Sequence, residues 1–282
     1  MDEARRWISG LGPELAVQAR LLERLLGAVE ADQRWEWLEL GCSVAEGRGD
    51  AWSDLDVGLG YRDESDRPAG DEVTAMLRGL GETVEVSVQP AERTCRWWVQ
   101  YADGGQIDLV AMAADSRPGR APGSVALLDR QGRLREAFTP RVWTASAEDV
   151  RGWLLDGWEA LANVAKYVHR GSLLEAIDQV HRARGRVLQL WAAGEEVAYP
   201  AFGLTSLLDD AQAALPPDIG STYPVADRTS VMSAALATAR LLHRAGLHAR
   251  PDMDTPLRRY VEQRLAGMNR TTGTDSAPTL GK

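Results

Sequence analysis

Residues 41–56 constrain the fold of this chain more than any other segment. They connect two apolar runs, since Trp35–Leu40 precedes them and Val57–Leu59 follows them. Small and glycine-rich residues fill the connection, and Asp54 and Asp56 stand near its end. If the second run is a strand, the two-residue period places both carboxylates on one face of a sheet. The segment therefore predicts two consecutive strands, with an acidic pair at the start of the second.

This acidic pair indicates a site for a cation. Two carboxylates on one face repel each other unless a positive charge lies between them. The simplest such charge is a divalent metal, and Mg²⁺ bound by carboxylates usually also holds phosphates. Free backbone N–H groups in the glycine-rich turn would supply a phosphate cradle. Asp54 and Asp56 therefore favour phosphoryl or nucleotidyl transfer, although an isolated Asp-x-Asp is more often a solvated strand edge or turn.

A third carboxylate stands on a later predicted strand. Residues 106–112 alternate as the returning strand of a hairpin, after a turn at 102–105. Asp108 lies there among apolar residues and has no basic neighbour in sequence. Because an unpaired carboxylate is costly to bury, a bound metal or an exposed cleft edge explains Asp108 better than a place in the core.

The pattern resembles the nucleotidyltransferases of the polymerase-β type, and among them the antibiotic nucleotidyltransferases. Their motif is an apolar strand, Gly-Ser, about ten residues, and Asp-x-Asp on the next strand. Ser43 matches the serine, ten residues follow it, and Asp54 and Asp56 match the acids. Cys42 departs from the motif, because the family usually has glycine there. Since cysteine carries a β-carbon, either the turn needs no positive φ at this residue or the cradle is altered.

The resemblance implies roles for these residues. Asp54, Asp56 and Asp108 are the expected catalytic residues and the ligands of two Mg²⁺ ions. Asp108 is also the expected base for the acceptor hydroxyl, with Glu85 on the preceding strand pair as the second candidate. ATP is the expected substrate and pyrophosphate the leaving group. The nucleotide contacts expected in this domain are Ser43 and Ser53.

Lysine is nearly absent, since Lys166 and Lys282 stand beside 30 arginines. A lysine is a compact charge that suits a triphosphate. Lys166 is therefore either a third nucleotide contact, at the β- or γ-phosphate, or a solvent-facing helix residue. Arg184 interrupts the apolar stripe of its helix, so it either faces a cleft or, as is more common, pairs with an acid inside the bundle.

Composition excludes several classes of partner. The net charge is −9 and the pI is about 5.1, without the basic footprint of nucleic-acid binders. No stretch approaches the ~20 apolar residues of a membrane span, and the N-terminus lacks the apolar core of a signal peptide. Two cysteines form no disulfide framework. We therefore expect a cytoplasmic protein that binds neither membrane nor nucleic acid, with a small hydroxylated acceptor whose positive charge the acidic protein attracts.

The order of patterns predicts an α+β fold. A nucleotidyltransferase domain over residues 1–140 should contain a mixed sheet. Its strand signals lie near 35–42, 54–60, 83–89, 95–101, 106–113 and 124–129, with helices at 13–31 and 69–80.

Long helices are predicted from Ser146 onward. Ser146 and Asp149 form a capping pair at the start of the first helix, which ends near His169. Further helices near 172–193, 203–214, 228–247 and 254–267 complete a bundle over residues 146–268. The resemblance implies that this bundle binds the acceptor, and Glu175 and Asp178 are either contacts for its amino groups or ordinary helix acids. Residues 269–282 are polar and are predicted to be disordered.

Three functions stay open on the sequence. The first is an enzyme that adenylylates an aminoglycoside or lincosamide antibiotic. The second is the same chemistry on a metabolite or a natural-product intermediate. The third is a non-catalytic interaction module that keeps the fold, against which the intact acidic triad counts. The resemblance also raises the expectation of a homodimer.

Overall fold

The computed structural model describes residues 2–139 and 142–271, and the chain divides between residues 140 and 141 into two compact units. We call them the sheet unit and the helical unit. The sheet unit contains α1 (Asp2–Ser9), α2 (Ala16–Ala31), β1 (Trp35–Gly41), α3 (Cys42–Ala45), β2 (Leu55–Tyr61), α4 (Gly70–Arg78), β3 (Thr83–Pro90), β4 (Thr94–Tyr101), β5 (Gln106–Ala113) and β6 (Val125–Asp129). The helical unit contains α5 (Ala147–His169), α6 (Leu173–Gly194), α7 (Leu204–Asp209), α8 (Arg228–Ala249) and α9 (Pro256–Thr271).

The six strands form one mixed sheet in the order β3-β4-β5-β2-β1-β6. Only β2 and β5 run parallel to each other, and the other neighbours are antiparallel. The strands between β2 and β5 in sequence form a hairpin that places β5 back beside β2. Together with the helices of the second unit, this confirms the predicted α+β class of mixed sheet followed by a helical region.

One face of the sheet carries the core of the sheet unit. Helix α2 packs four fully buried leucines against it: Leu21, Leu22, Leu25 and Leu26. Each buried leucine contributes about 1.5–3 kcal/mol relative to an exposed one. Alternate residues of the central strands, such as Leu55, Val57 and Leu109, point into the same cluster. The hydrophobic demand of this face therefore fixes the register, because a one-residue slip would expose the whole set.

The register fixed in this way places polar residues on the opposite face. The pairs Gly41 with Asp56 and Asp56 with Asp108 lie in one row across β1, β2 and β5. Trp37 lies on this face beside Gly60, where a β-carbon would overlap the indole ring. The face also carries Glu39, a buried acid two residues from Gly41 along β1.

The helical unit has its own core. The hydroxyl of Ser146 accepts a hydrogen bond from the backbone N–H of Asp149, and the carboxylate of Asp149 accepts one from the backbone N–H of Ser146. This confirms the capping pair at the start of α5. Helix α8 packs against both α5 and α6, through a cluster that includes Trp158, Val187 and Leu242.

Arg184 lies inside this unit without an acidic partner in the described part of the chain. Its side chain is buried, donates to the carbonyl oxygen of Thr222 at 3.0 Å and stacks 3.7 Å from the ring centroid of Tyr223. Burial lowers the pKa of Arg184 below its ordinary range. Of the two alternatives for Arg184, pairing with an acid is therefore not observed: a carbonyl, the ring of Tyr223 and the imidazole of His181 hold the guanidinium instead.

Several element limits differ from the prediction. Helix α1 and the four-residue α3 were not predicted, and α7 ends at Asp209 rather than near residue 214. Helix α9 continues through Thr271, so residues 269–271 are helical where the disordered tail was predicted to begin, and the rest of that predicted tail, residues 272–282, lies outside the described chain. No helix within the described ranges is both long and apolar enough to cross a bilayer.

Candidate active site

The polar face of the sheet brings the three predicted site acids together. Asp56 on β2 lies directly opposite Asp108 on the parallel strand β5. Asp54 precedes β2, and its carboxylate accepts a hydrogen bond of 3.4 Å from Gln106, at the start of β5. Both of these contacts follow from one register between β2 and β5, in which Leu55 pairs with Ile107. A Gly-rich loop and two strands therefore place three carboxylates at one end of the parallel pair.

The charge state of Asp56 reflects this crowding. Partial burial raises the pKa of Asp56 above its usual range, and the charges of Asp54 and Asp108 raise it further. A hydrogen bond from the thiol of Cys42 and the charge of Arg96 act in the opposite direction. The net upward shift marks Asp56 as a carboxylate whose negative charge the surrounding protein groups do not fully compensate.

Asp108 is not the unpaired acid that the sequence suggested. Arg96, on β4, donates from Nε to Oδ1 of Asp108 at 2.7 Å and from Nη2 to Oδ2 of the same carboxylate. The carboxylate is 16% exposed and the arginine side chain 47% exposed. Asp108 has no basic neighbour in sequence, and a metal or an exposed cleft edge was expected beside it; its partner in the fold stands 12 positions earlier, on the neighbouring strand.

The sequence contained a signal for this pairing. The turn at 102–105 makes β4 and β5 a hairpin in which Trp98 faces Asp108 and Arg96 faces Val110. Arg96 is thus the diagonal neighbour of Asp108 on the same face, within reach of a long side chain. Counting outward from the turn would have found it.

Cys42 adopts the backbone conformation that its β-carbon disfavours. Its φ is +56°, so the turn after β1 requires a left-handed residue at this position even though glycine is absent. Cys42 begins the short helix α3. Partial removal from water, together with Asp56 and the neighbouring acids, raises the pKa of the Cys42 thiol to about 12. The thiol is therefore protonated at neutral pH and acts as a donor to Asp56, not as a nucleophile.

The two predicted nucleotide-contact serines differ in availability. The hydroxyl of Ser53 accepts from the backbone N–H of Asp50 at 2.9 Å and donates to the carboxylate of Asp50, so the loop itself uses it. The hydroxyl of Ser43, in α3, has no protein hydrogen-bond partner within the described chain. Ser43 is accordingly the better suited of the two to contact a ligand.

The donor set partly fits the implied Mg²⁺. Carboxylate oxygens are the ligands that Mg²⁺ prefers, and one or two carboxylates suffice when substrate phosphates complete the coordination. Asp54 and Asp56 meet this description. Asp108 meets it less well, because Arg96 engages both of its oxygens and offsets its charge. The described residues contain no group of three or more His, Cys, Asp or Glu side chains arranged to hold a metal.

A pocket of about 360 Å³ lies on this face, lined by Asp56, Asp108 and Arg96 at one side and by Glu39 and Arg117 at the other. Glu39 and Arg117 belong to a hydrogen-bond network. In it, the Glu39 carboxylate accepts from Arg117, from the hydroxyl of Ser124, and from the backbone N–H of Ala121 at 2.6 Å. Its charge is therefore satisfied within the fold, and Glu39 is not a further free site acid.

The remaining predicted residues lie elsewhere. Glu85 is exposed on the edge strand β3, which β4 separates from the strand of Asp108, and its carboxylate accepts from the backbone N–H of Val86. Lys166 lies in the last turns of α5, with Nζ 4.5 Å from the ring centroid of Tyr167. Glu175 and Asp178 are exposed on α6.

The helical unit has a larger pocket that no sequence pattern indicated. It measures about 640 Å³ and contains the rings of Tyr199 and Phe202, whose centroids lie 6.4 Å apart, with Asp209 and Asp210 among its other lining residues. Phe202 is 69% exposed. Two aromatic residues, Tyr199 and Phe202, that stand less than a dozen positions before the acidic pair Asp209 and Asp210 are the sequence signal that could have drawn attention to it.

Searches against family models and against curated proteins found no match. Solved structures similar to this chain include an aminoglycoside 6-adenyltransferase from Bacillus subtilis, with 14% identity, 92% of this chain and 99% of that chain covered, and a TM-score of 0.40. A nucleotidyltransferase-like protein from Exiguobacterium sibiricum has 12% identity, 93% and 89% coverage, and a TM-score of 0.33. A non-canonical poly(A) polymerase complex has 12% identity, 85% and 56% coverage, and a TM-score of 0.29. Likenesses of this size leave the function to be argued from the site residues.

Proposed function

We propose that this protein is a nucleotidyltransferase that moves AMP from ATP onto a hydroxyl group of a small molecule. The observation that supports it most is the row formed by Asp56 and Asp108 on the parallel strands β2 and β5, with Asp54 beside it and the pKa of Asp56 raised by burial and by both neighbouring charges. Such a concentration of negative charge beside a pocket is the expected setting for a metal-bound triphosphate.

Each residue has a defined task in this proposal. Asp54 and Asp56 would hold Mg²⁺, which when bound neutralises phosphate charge and favours ionisation of a hydroxyl. Ser43 offers an unengaged hydroxyl to a phosphate oxygen. Asp108 is the proposed base for the acceptor hydroxyl once its oxygens are released from Arg96. Because little covalent chemistry is asked of the protein, positioning and charge compensation supply most of the rate.

For the acceptor, we propose an aminoglycoside or a lincosamide, and a metabolite or natural-product intermediate is the second candidate. The distribution of charge bears on this choice. Residues 1–140 contain 25 acidic and 16 basic residues, whereas residues 141–282 contain 16 of each. All of the net charge of −9 therefore belongs to the sheet unit, where it attracts a divalent cation, and the long-range attraction expected for a cationic acceptor does not come from the helical unit.

The decisive experiment measures pyrophosphate release from ATP and Mg²⁺ with a panel of aminoglycosides and lincosamides, and then with a small-molecule cell extract. We expect release with one acceptor and a product heavier by one AMP. Asp54→Asn and Asp56→Asn should each lower the rate by about 10²-fold or more. Asp71→Asn, which removes an exposed acid of α4, is the matched control and should leave the rate unchanged. Binding of ATP without release in any of these mixtures would favour the non-catalytic module.

A further inference from the structure

A positive charge already lies within the group of site acids. Arg96 engages Asp108 through two parallel N–H···O hydrogen bonds, the geometry in which a guanidinium matches a carboxylate best. This hydrogen bonding raises the pKa of Arg96 further above its usual range, so the arginine is charged at neutral pH. The charge also acts on Asp56, one strand further along the same face.

The consequence concerns the third carboxylate of the site. Arg96 occupies one lone pair on each oxygen of Asp108 and offsets its charge, so Asp108 is a weaker metal ligand and a weaker base than a free carboxylate. The pair can be reached from the pocket, since 47% of the Arg96 side chain is accessible and both residues line the pocket. An anionic ligand bound there can therefore compete with Asp108 for the guanidinium.

We propose that Arg96 is a positioning residue that exchanges Asp108 for the phosphates of an incoming nucleoside triphosphate. In the nucleotide-free protein it is the counter-ion of Asp108 and keeps the site from assembling. Its planar fork suits a phosphate as well as a carboxylate, so the triphosphate draws it away and releases Asp108. This inference rests on the proposed function for the identity of the ligand. It adds an order of events, in which the site becomes complete only when the triphosphate is present.

Two binding measurements test the exchange without turnover. The first is the affinity for Mn²⁺ alone, from the electron paramagnetic resonance signal of free Mn²⁺. The second is the affinity for α,β-methylene-ATP alone, in EDTA, from ligand-observed nuclear magnetic resonance. Arg96→Gln should tighten Mn²⁺ binding by about tenfold, because a carboxylate is freed and a like charge is removed. The same variant should weaken binding of the triphosphate analogue by about tenfold, because a phosphate partner is lost.

Tighter Mn²⁺ binding together with weaker binding of the triphosphate analogue distinguishes the exchange from a purely structural role of Arg96. Arg93→Gln removes the same charge from the exposed turn between β3 and β4 and should change neither affinity by more than about twofold. Asp108→Asn added to Arg96→Gln should return Mn²⁺ affinity to the level of the unmodified protein. Arg96→Lys keeps the charge without the fork and should show a smaller shift of the same two signs, which gives a reading even if Arg96→Gln folds poorly.

Weakening of both affinities would show that Arg96 only supports the fold, and the proposal would be wrong. It would also be wrong if Mn²⁺ binding tightened without loss of analogue affinity, or if neither moved beyond the Arg93→Gln control. Failure of the proposed function looks different: no acceptor then releases pyrophosphate, while the two binding shifts at Arg96 still appear.

Discussion

At the scale of single residues, Cys42 shows how the site is built against local preference. A left-handed backbone costs a residue with a β-carbon roughly 1–2 kcal/mol relative to one that avoids it, and Cys42 has a φ of +56°. The thiol compensates in part by donating to Asp56. Strain of this kind persists where the surrounding structure over-determines the turn, and here β1 and α3 hold both ends of it.

Replacing Cys42 by glycine should therefore stabilise the protein. We expect Cys42→Gly to exceed Cys42→Ala in free energy of unfolding by about 1 kcal/mol, because alanine keeps the β-carbon while both variants lose the thiol. Urea-induced unfolding at pH 7 measures the difference. Equal stability of the two variants would mean that the turn relaxes out of the left-handed region when the thiol is absent.

Asp56 carries a cost in stability that depends on pH. Its pKa in the folded protein is raised above the ordinary value of 3.8, mainly by burial. The folded state then binds a proton more tightly than the unfolded chain, so stability falls as the pH rises from 3.8 to the raised pKa, and the full cost is present above it.

Asp56→Asn should therefore raise the free energy of unfolding at pH 7 by roughly 0.5–2 kcal/mol while it lowers the transfer rate by about 10²-fold or more. The asparagine keeps an oxygen that accepts from Cys42 but carries no charge. Urea unfolding at several pH values should show the gain shrinking as the pH falls toward 3.8, because Asp56 of the unmodified protein then becomes protonated as well. A gain of the same size at pH 7 and pH 4 would contradict the electrostatic explanation.

At the scale of elements, the contact between α5 and α8 depends on the absence of a side chain. Gly157 is buried, and a β-carbon there would lie 2.8 Å from both terminal methyl carbons of Leu242, which is itself fully buried. Gly152 lies in the same helix, exposed and with open space around it. Substitution of Gly152 therefore reports the effect of helix propensity alone, whereas substitution of Gly157 reports helix propensity and packing against Leu242 together.

Alanine should have opposite effects at these two positions. Gly152→Ala should stabilise the helical unit by about 0.5–1 kcal/mol through propensity alone. Gly157→Ala gains the same propensity but should destabilise by about 1–3 kcal/mol through overpacking against Leu242. Thermal unfolding followed by circular dichroism gives both values. Stabilisation by both variants would mean that α5 and α8 separate enough to admit the methyl group.

The elements also show what the sequence could and could not predict. Strand β5 was predicted at 106–113, as observed, because alternation and a hairpin turn both define it. Helix α3 was not, because four residues contain too few periods for a pattern to form. Asp54 and Asp56 were proposed from their spacing within residues 41–56, and Asp108 from its place on the alternating strand that follows the hairpin turn. Their partner Arg96 was not predicted. Pairing across a hairpin depends on the register of its two strands, and that register follows from the sequence only when residues are counted outward from the turn.

At the scale of the whole molecule, the two units differ in what they contain. The hydrophobic clusters of the sheet unit use residues from within 1–139, and those of the helical unit use residues from within 142–271. The sheet unit holds Asp54, Asp56, Asp108 and Arg96, and it also carries the entire net charge of −9. Each unit thus has the core that independent folding requires, and the attraction for a divalent cation belongs to the first.

A fragment of residues 1–139 should consequently fold alone and keep the metal site. We expect a cooperative thermal transition by circular dichroism and an Mn²⁺ affinity within about threefold of the full chain, because neither the acids nor the field that attracts the cation is removed. The Asp56→Asn fragment is the control for binding at the site. The fragment should not transfer a nucleotide to the acceptor if the helical unit supplies acceptor contacts. A fragment that folds but loses Mn²⁺ affinity by more than tenfold would assign part of the cation site to the second unit.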